Sequence, residues 1–184
     1  MKKENEEIVI VLDFLLHGYI GDRRSSHQKT SIVQAITPKN FTLLELIPKK
    51  DMQLQPYEEV YIGAGKRDKI NNINGKLKYE KLSNTAKSEL FHVIKDIIKK
   101  DEMRFVDFFN NARPLNTRVH IMELLPGVGK KHMLEIIAKR DDKPFESLLD
   151  LKTRVRLMSD PEKVLANRIV SELEEKEKYN LFVK

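Results

Sequence analysis

The segment LLPGVGKKH (124–132) constrains the fold of this chain more than any other stretch. Pro126 has no N–H and disfavours helical geometry in the residue before it, so a helix must end there. Gly127 and Gly129 permit positive φ angles and a close approach by another backbone. Val128 lies between them and is predicted to plug a small core under the turn. Apolar residues at helical spacing resume directly afterwards, which predicts a helix, a tight turn and a second helix.

The start of that second helix is predicted to bind an anion. Its first N–H groups, from Gly129 to His132, have no partner inside the helix and carry partial positive charge. Lys130 and Lys131 add full charges, although lysine in a first helical turn opposes the helix dipole by roughly 0.3–1 kcal/mol per charge. A bound anion would reverse that cost. We therefore interpret the segment as the hairpin of a helix-hairpin-helix element that clamps a nucleic-acid phosphate; a plain connection with solvated lysines is the alternative.

Two P-loop candidates fail on their residues. The first ends at Gly129-Lys130 but has Leu124 where the motif GxxxxGK[ST] requires its first glycine. The second, GAGKR (63–67), has Val60 at that place. Neither is followed by the Ser or Thr that must hold magnesium, so the sequence contains no nucleotide-binding P-loop of this type.

Composition favours a polyanionic partner inside the cell. The 184 residues suffice for one domain or two small ones, and 40% of them are hydrophobic. The net charge is +6, from 34 Lys and Arg against 28 Asp and Glu, so local clusters must form any binding site. Cysteine is absent, which excludes disulfides and thiolate chemistry. Without an apolar span of 18 residues or a signal peptide, we expect a soluble, cytoplasmic protein with no membrane partner.

The N-terminal half has the pattern of short strands. Five are predicted, the last interrupted at Asn74-Gly75, which could itself be a hairpin turn; they cover residues 8–16, 31–37, 41–47, 58–64 and 70–82. This number of short strands in one segment predicts a small OB-like β-barrel, whose strand order the sequence does not give.

Helical spacing replaces the strand pattern after Leu82. Ser83, Asn84 or Thr85 is predicted to cap a long helix. A short aromatic helix follows, whose phenylalanines (105, 108 and 109) are predicted to be core, with a stacking platform as the alternative. Asn116 or Thr117 is predicted to cap the helix that leads into the glycine turn.

A second helix–turn–helix follows the first, without its glycines. Its first helix is predicted at 145–157, and Pro161 fits the first position of its second helix after an Asp cap. The apolar tail, YNLFVK, is expected to fold back, onto the barrel in our interpretation. The predicted fold class is α+β with two domains: a small OB-like β-barrel (1–82), connecting helices (83–113), and an all-α tandem helix-hairpin-helix domain with a C-terminal tail (114–184).

Two basic loops of the barrel half are further candidates for nucleic-acid binding. Arg23 and Arg24 lie in one, and Lys66 and Arg67 in the other. OB barrels bind nucleic acid through such loops and through stacking on aromatic rings, for which Tyr61 is one candidate and Tyr19 another. The alternative is that exposed loops of a basic protein are simply basic.

No constellation in the sequence indicates catalysis. The five histidines show no metal-ligand spacing, and no pair of carboxylates is marked out for acid–base chemistry. His132, beside the hairpin lysines, could reach a phosphate, or it could be an ordinary exposed helical residue. We therefore expect no metal, no cofactor and no enzymatic activity.

The joint occurrence of a short β-barrel with LLPGVGKKHM, DDKPFESLLDLKTRV, SDPEKVLANRIVSELE and YNLFVK resembles an archaeal family of unknown function. The resemblance covers nearly the whole chain, and the C-terminal half carries most of its specificity. It implies an N-terminal OB-like domain, a C-terminal helix-hairpin-helix domain and RNA binding. The family's translation-related gene neighbours favour RNA over DNA, and ribosomal RNA or the ribosome as the partner. The phosphate-binding positions of the motif fall on Gly127, Gly129, Lys130 and Lys131.

The sequence thus predicts a non-catalytic nucleic-acid-binding protein that grips the phosphate backbone through the glycine hairpin. One rival is a protein-interaction adaptor of the translation or transcription machinery, which the apolar tail and the near balance of charges favour. The other is a nuclease or nucleic-acid-modifying enzyme, although the chain leaves little room for a catalytic domain. The oligomeric state cannot be read from the sequence.

Overall fold

The structure, a computed structural model, describes residues 7–19, 30–156, 158 and 160–184. Within this part of the chain it is an α+β protein with one antiparallel sheet and five α-helices, which confirms the α+β part of the predicted fold class but not its two-domain OB and helix-hairpin-helix arrangement. The chain divides into two compact units. Unit 1 comprises 1–93 with 169–184, and unit 2 comprises 94–168. These bounds differ from the predicted domains, because unit 1 also contains the C-terminal segment.

Unit 1 contains a five-stranded sheet in the order β4-β1-β2-β3-β5, in which every neighbouring pair is antiparallel. The strands are β1 (Ile8–Leu15), β2 (Ile32–Ile36), β3 (Leu43–Pro48), β4 (Glu59–Tyr61) and β5 (Ile70–Lys76). The sheet curls into a half-barrel. Among the described residues β4 and β5 form its two edges and no ladder joins them, so the closed OB-like barrel is not confirmed.

The strand β5 passes through Asn74-Gly75 instead of turning there. Glu45 of β3 lies opposite Gly75, whereas Leu46 lies opposite Ile73, so Asn74 is an extra residue in the ladder. Gly75 has a φ of 145°, which glycine tolerates best. The predicted hairpin turn is therefore wrong: the Asn-Gly pair forms a β-bulge, because pairing with β3 continues on both sides of it.

The core of unit 1 lies on one face of the sheet, where β-branched and leucine side chains from several strands meet. Its buried members are Val9, Val11, Val33, Ala35, Leu46, Leu54, Val60, Ile62 and Ile70. Because successive strand residues point to opposite faces, Gln34 lies on the other face, between Val33 and Ala35. Gln34 is nevertheless fully buried, and a buried amide requires hydrogen-bond partners.

Gln34 finds those partners at the start of α1. The Gln34 amide oxygen accepts a hydrogen bond from the Ser83 N–H at 2.8 Å, and its nitrogen donates to the Lys81 carbonyl at 3.0 Å. The Ser83 hydroxyl donates to Asp13 at 2.6 Å and accepts from the Ala86 N–H at 3.0 Å. Ser83 is therefore the cap among the three predicted candidates, and the sheet fixes the point at which the helical part of the chain begins.

We predict that Gln34→Leu lowers the free energy of unfolding by about 1–3 kcal/mol, because the Ser83 N–H and the Lys81 carbonyl lose their buried partner. Urea denaturation followed by circular dichroism measures the change. Gln53→Leu, at an exposed position, is the control and should leave the midpoint unchanged. Equal midpoints for the two variants would contradict this role of Gln34.

The C-terminal tail folds back within unit 1, as predicted. The Glu172 carboxylate, 2% exposed, accepts hydrogen bonds from the N–H groups of Leu181, Phe182 and Val183 at 2.8–3.0 Å. The Lys184 N–H donates to the Asn40 carbonyl at 3.1 Å. One buried carboxylate therefore binds three successive amides and attaches the tail to the unit that contains the sheet.

The helices are α1 (Asn84–Lys100), α2 (Glu102–Asn111), α3 (Lys130–Asp142), α4 (Leu148–Arg154) and α5 (Pro161–Leu173). Phe105 and Phe109 are fully buried, which confirms them as core residues. The helix predicted at 145–157 is shorter. Phe145 instead exchanges two backbone hydrogen bonds with the side chain of Asn110, at 2.8 and 2.9 Å, and Ser147 caps α4.

Candidate nucleic-acid interface

The chain enters the glycine turn through a short 3₁₀ helix, Ile121–Leu124, and not through the α-helix predicted from residue 116 or 117. The Asn116 side chain does accept N–H groups, but those of Arg118 and Val119, which closes a local turn. The 3₁₀ helix is capped by His120. The predicted cap was wrong because Asn is equally suited to a turn and to a helix start.

The turn itself has the predicted form. Leu125 is extended, with ψ of 136°, so the helical geometry ends before Pro126. Gly127 has a φ of 78° in the left-handed region. Val128 is 5% exposed, and its N–H donates to the Leu125 carbonyl at 3.1 Å. Val128 is therefore the predicted apolar plug, and the two glycines on either side of it remain exposed.

The start of α3 is open to solvent. Gly129 occupies the N-cap position without a side chain to bond the helix amides, and no acidic residue lies in the first turn. A Cβ added to Gly127 or Gly129 would meet nothing within 4 Å. Among the described residues no acceptor bonds the N–H groups from Gly129 to His132. Lys130 and Lys131 are exposed there and have no ion-pair partner in the described part of the chain.

Two other helices of unit 2 begin differently, because protein groups satisfy their amides. At α4, Ser147 accepts the Asp150 N–H at 2.9 Å, and Glu102 accepts the Leu148 N–H at 2.8 Å. At α5, the Asp160 carboxylate accepts the Lys163 N–H at 2.9 Å. The helix starts of α4 and α5 therefore already have carboxylates or hydroxyls where an anion would bind.

The second helix–turn–helix carries further negative charge. Glu162 lies in the first turn of α5, beside the Asp160 cap. Lys95 lies 3.9 Å from Asp160 and 3.7 Å from Glu162, and Lys99 lies 3.9 Å from Glu162. These pairs neutralise the helix start internally, so the glycine turn and the α5 start differ in electrostatics as well as in sequence.

A buried arginine fixes the inner side of the glycine turn. Arg168, 2% exposed, donates to the Leu124 carbonyl at 2.7 Å. The carbonyl that precedes the turn therefore points into unit 2. Sequence reasoning missed Arg168, although its position three residues after Leu165 and next to Ile169 places a charge within an apolar helical stripe. Such a position is a signal for a buried, hydrogen-bonded arginine.

His120 caps the 3₁₀ helix that leads into the turn, and its side chain is buried. Its Nδ1 accepts the Met122 N–H at 3.2 Å, so the ring is neutral and the proton lies on Nε2. Glu123 accepts the His120 N–H at 2.8 Å and completes a capping box. Burial lowers the pKa of His120 and the nearby Arg140 charge lowers it further, whereas the Glu123 charge and a hydrogen bond with the Ala112 backbone act in the opposite direction.

We predict that His120 makes stability depend on pH. Because its pKa is lower in the folded chain than the ordinary value of 6.5, the unfolded chain binds more protons below that pH. Its contribution to stability is therefore present above about pH 6.5 and is lost as the pH falls below it. The difference in unfolding free energy between the wild type and His120→Gln should shrink from pH 8 to pH 5.

Urea denaturation at each pH measures that difference, and His92→Gln, at an exposed position, serves as the control. The control should keep the wild-type pH profile. A wild type and a His120→Gln variant with parallel profiles would contradict the assignment, because no other histidine changes between them.

The basic loops of the barrel half have separate outcomes. Arg23 and Arg24 lie outside the described residues. Lys66 is exposed and Arg67 half-buried in the loop after β4, within unit 1. Tyr19 donates to the Glu45 carboxylate, and burial together with that hydrogen bond raises the pKa of Tyr19 to about 12. Its hydroxyl group is thus engaged within unit 1.

Among the described residues, no group of three or more His, Cys, Asp and Glu side chains could hold a metal ion. No helix among them is long and apolar enough to cross a bilayer.

The chain is therefore an α+β protein. Its unit 2 has, at the glycine turn, a helix start without a side-chain cap and with two exposed lysines. A family model described as "Protein of unknown function (DUF655)" matches residues 5–184, and the chain belongs to that family. It is 44% identical over 181 residues to the uncharacterized protein MJ0038 of Methanocaldococcus jannaschii, a match that covers 97% of this chain and 80% of that protein.

One crystal structure is similar to this chain over almost its whole length. The crystal structure of Af1531 from Archaeoglobus fulgidus, of the same family, is 44% identical and has a TM-score of 0.91. The match covers 97% of this chain and 100% of the Af1531 chain. Family membership, with archaeal relatives, therefore confirms the coarser part of the resemblance seen in the sequence.

Proposed function

We propose that the protein is a non-catalytic nucleic-acid-binding protein that holds a phosphate of the backbone at the turn from Gly127 to His132, in the manner of a helix-hairpin-helix element. The observation that carries the proposal is the open start of α3. Its amides point to solvent without an acceptor among the described residues, and two exposed lysines stand where acids are usually found.

Several features support a phosphate over other anions. A helix N-terminus offers several N–H donors in a fixed arrangement, which suits the tetrahedral oxygens of a phosphate. Gly127 and Gly129 leave the approach free, since no Cβ projects from either. Arg168 holds the Leu124 carbonyl on the inner side, so the outer side presents donors. None of these contacts reads a base, so binding should be largely indifferent to sequence.

Of the two helix–turn–helix segments in unit 2, we propose that only the first, at the start of α3, binds a phosphate. The α5 start already has the carboxylate of Asp160 as its cap and Glu162 in its first turn, and both would repel a phosphate. We therefore propose a single phosphate contact here, instead of a symmetric two-hairpin grip on both strands of a duplex. RNA is the proposed partner, ribosomal RNA or the ribosome included, because of the family resemblance and its translation-related neighbours.

We predict that the double variant Lys130→Ala/Lys131→Ala weakens binding to every sequence by a similar factor. Each lost phosphate contact should flatten the slope of log affinity against log salt by roughly 0.7 for a single strand and 0.9 for a duplex. Fluorescence anisotropy with labelled RNA hairpins of unrelated sequence, at several salt concentrations, measures both effects.

The matched control is Lys139→Ala/Lys152→Ala, which removes the same charge from exposed positions near the C-terminal ends of α3 and α4. It should keep most of the affinity. If both double variants lose affinity and salt slope equally, net charge and not the glycine turn drives binding, and the proposal fails.

We predict opposite effects on stability and binding for Gly129→Asp. A carboxylate at the N-cap would accept the free α3 amides and interact favourably with the helix dipole, which should raise the free energy of unfolding by about 0.3–1 kcal/mol. The same carboxylate would occupy the phosphate position and abolish RNA binding at this turn.

Urea denaturation and anisotropy on the same preparation test this pair of effects. Ser88→Asp adds the same charge at an exposed position of α1 and serves as the control for net charge. A Gly129→Asp protein that is more stable and still binds RNA with wild-type affinity would show that the α3 amides are not the contact.

A protein-interaction adaptor of the translation or transcription machinery remains the alternative. Two leucines of unit 2 favour it, because Leu134 of α3 is 57% exposed and Leu149 of α4 is 70% exposed. Binding to a purified partner protein that persists at high salt, without affinity for free RNA, would support the adaptor and exclude the phosphate grip.

A further inference from the structure

Unit 1 contains an exposed aromatic ring that is held in place by two glycines. Tyr61, the last residue of the edge strand β4, is 36% exposed. Its hydroxyl oxygen accepts the Gly65 N–H at 3.1 Å. A Cβ added to Gly63 would lie 2.4 Å from the Tyr61 hydroxyl oxygen and 2.6 and 2.8 Å from two carbons of its ring, so the ring rests against the bare Cα of Gly63. The GAGKR segment therefore serves to seat this ring.

Arg67 is anchored in the same loop. Its Nε donates to the Gly63 carbonyl at 2.9 Å, and the described residues offer no acceptor to its two terminal nitrogens. Lys49 donates to the Arg67 carbonyl through Nζ and to the Lys69 carbonyl through its backbone N–H at 2.8 Å, which attaches the turn after β3 to this loop. Lys66 is exposed beside Arg67.

A ring and a guanidinium fixed to the same glycine suit a ligand that has a flat apolar face next to an anion. Unpaired nucleotides have both, since a base stacks on an aromatic ring and the adjacent phosphate accepts the parallel N–H donors of arginine. Duplex nucleic acid hides its base faces, and an acidic peptide would use the arginine without needing the ring. Because the contacts with Gly63 and Gly65 lie within the chain itself, they hold the ring in place, and little ordering is required on binding.

We propose that Tyr61, Arg67 and Lys66 form a second nucleic-acid site, which stacks one unpaired base on Tyr61 and binds the neighbouring phosphate. This inference rests on the proposed function only in taking nucleic acid as the ligand, because its residues belong to a different unit from the glycine turn. Its ligand class is single-stranded nucleic acid, with no requirement for a particular base.

The test compares two labelled single strands of equal length, oligouridylate and an oligomer of abasic units, on the full chain. Tyr61→Leu should weaken oligouridylate binding about 5- to 150-fold, the range that corresponds to one lost base–aromatic stack, and should leave abasic binding unchanged. Arg67→Gln should weaken both. Tyr179→Leu, at a tyrosine that is 40% exposed in the tail, is the control and should change neither.

If Tyr61→Leu fails to fold, a measurement on the wild-type chain tests the site instead. Photo-cross-linking with 5-iodouridine RNA should place the adduct on Tyr61, because the excited base couples preferentially to an electron-rich aromatic ring in contact with it. Adducts found only elsewhere, or an unchanged oligouridylate affinity in folded Tyr61→Leu, would overturn this site.

The two proposals fail separately. If Lys130→Ala/Lys131→Ala weakens binding while folded Tyr61→Leu has no effect, only the second site is wrong. If Tyr61→Leu weakens oligouridylate binding while the lysine variant matches its control on every RNA, the glycine turn is wrong and the Tyr61 site stands. A wild type that binds neither RNA hairpins nor oligouridylate would overturn both.

Discussion

Unit 2 depends on hydrogen bonds from arginine side chains to carbonyls at the ends of its helices. Arg140 donates to the Phe109 and Ala112 carbonyls, at 2.9 and 2.8 Å, where α2 ends. Arg154 donates to the Lys139 and Lys143 carbonyls where α3 ends, and its guanidinium lies 4.7 Å above the ring of Phe145. Arg168 does the same for the 3₁₀ helix. Short helices cannot satisfy their last carbonyls themselves, and these three ends each receive a charged donor from another segment.

This arrangement makes the glycine turn asymmetric. Its carbonyl side is bonded to Arg168 inside the unit, whereas the amide side at Gly129 is bonded to nothing among the described residues. Lys130 and Lys131 then oppose the helix dipole at that open end, which reduces stability by roughly 0.3–1 kcal/mol per charge. In unit 2 the starts of α4 and α5 have side-chain caps, and the ends of α2, α3 and the 3₁₀ helix have arginine donors. An unfavourable helix start beside them is the kind of local conflict that binding sites produce.

The sequence predicted the features that depend on neighbouring residues. The Pro-Gly turn, the Val128 plug, the Asp160 cap and the apolar stripe of α1 follow from backbone sterics and helical spacing, and each is present. Predictions failed where two local structures suit the same residues. Asn74-Gly75 fits a hairpin turn and a β-bulge equally well, and only its pairing with β3 decides between them.

At the candidate sites, too, the sequence predicted local features but not the contacts with residues distant in the chain. Gly127 to His132 were identifiable because their chemistry is local, but their anchors were not, since no pattern tells which carbonyl Arg168 reaches. The GAGKR segment was recognisable as glycine-rich and basic. That its glycines seat Tyr61 depends on the chain folding back within a single loop, which the sequence pattern does not specify.

The two proposed sites would contact different parts of a nucleic acid: the glycine turn a phosphate, and Tyr61 a base. The glycine turn offers amides and lysines, and under our proposal it would contact only a phosphate, which paired and unpaired strands both provide. Tyr61 offers a ring face and needs a base that has left its stack. The contacts proposed at both sites involve a phosphate or a base face and not a base edge, so we expect neither site to select a sequence. A ligand that uses both must combine a continuous backbone with at least one unstacked nucleotide, and RNA with loops or bulges meets that requirement through its shape.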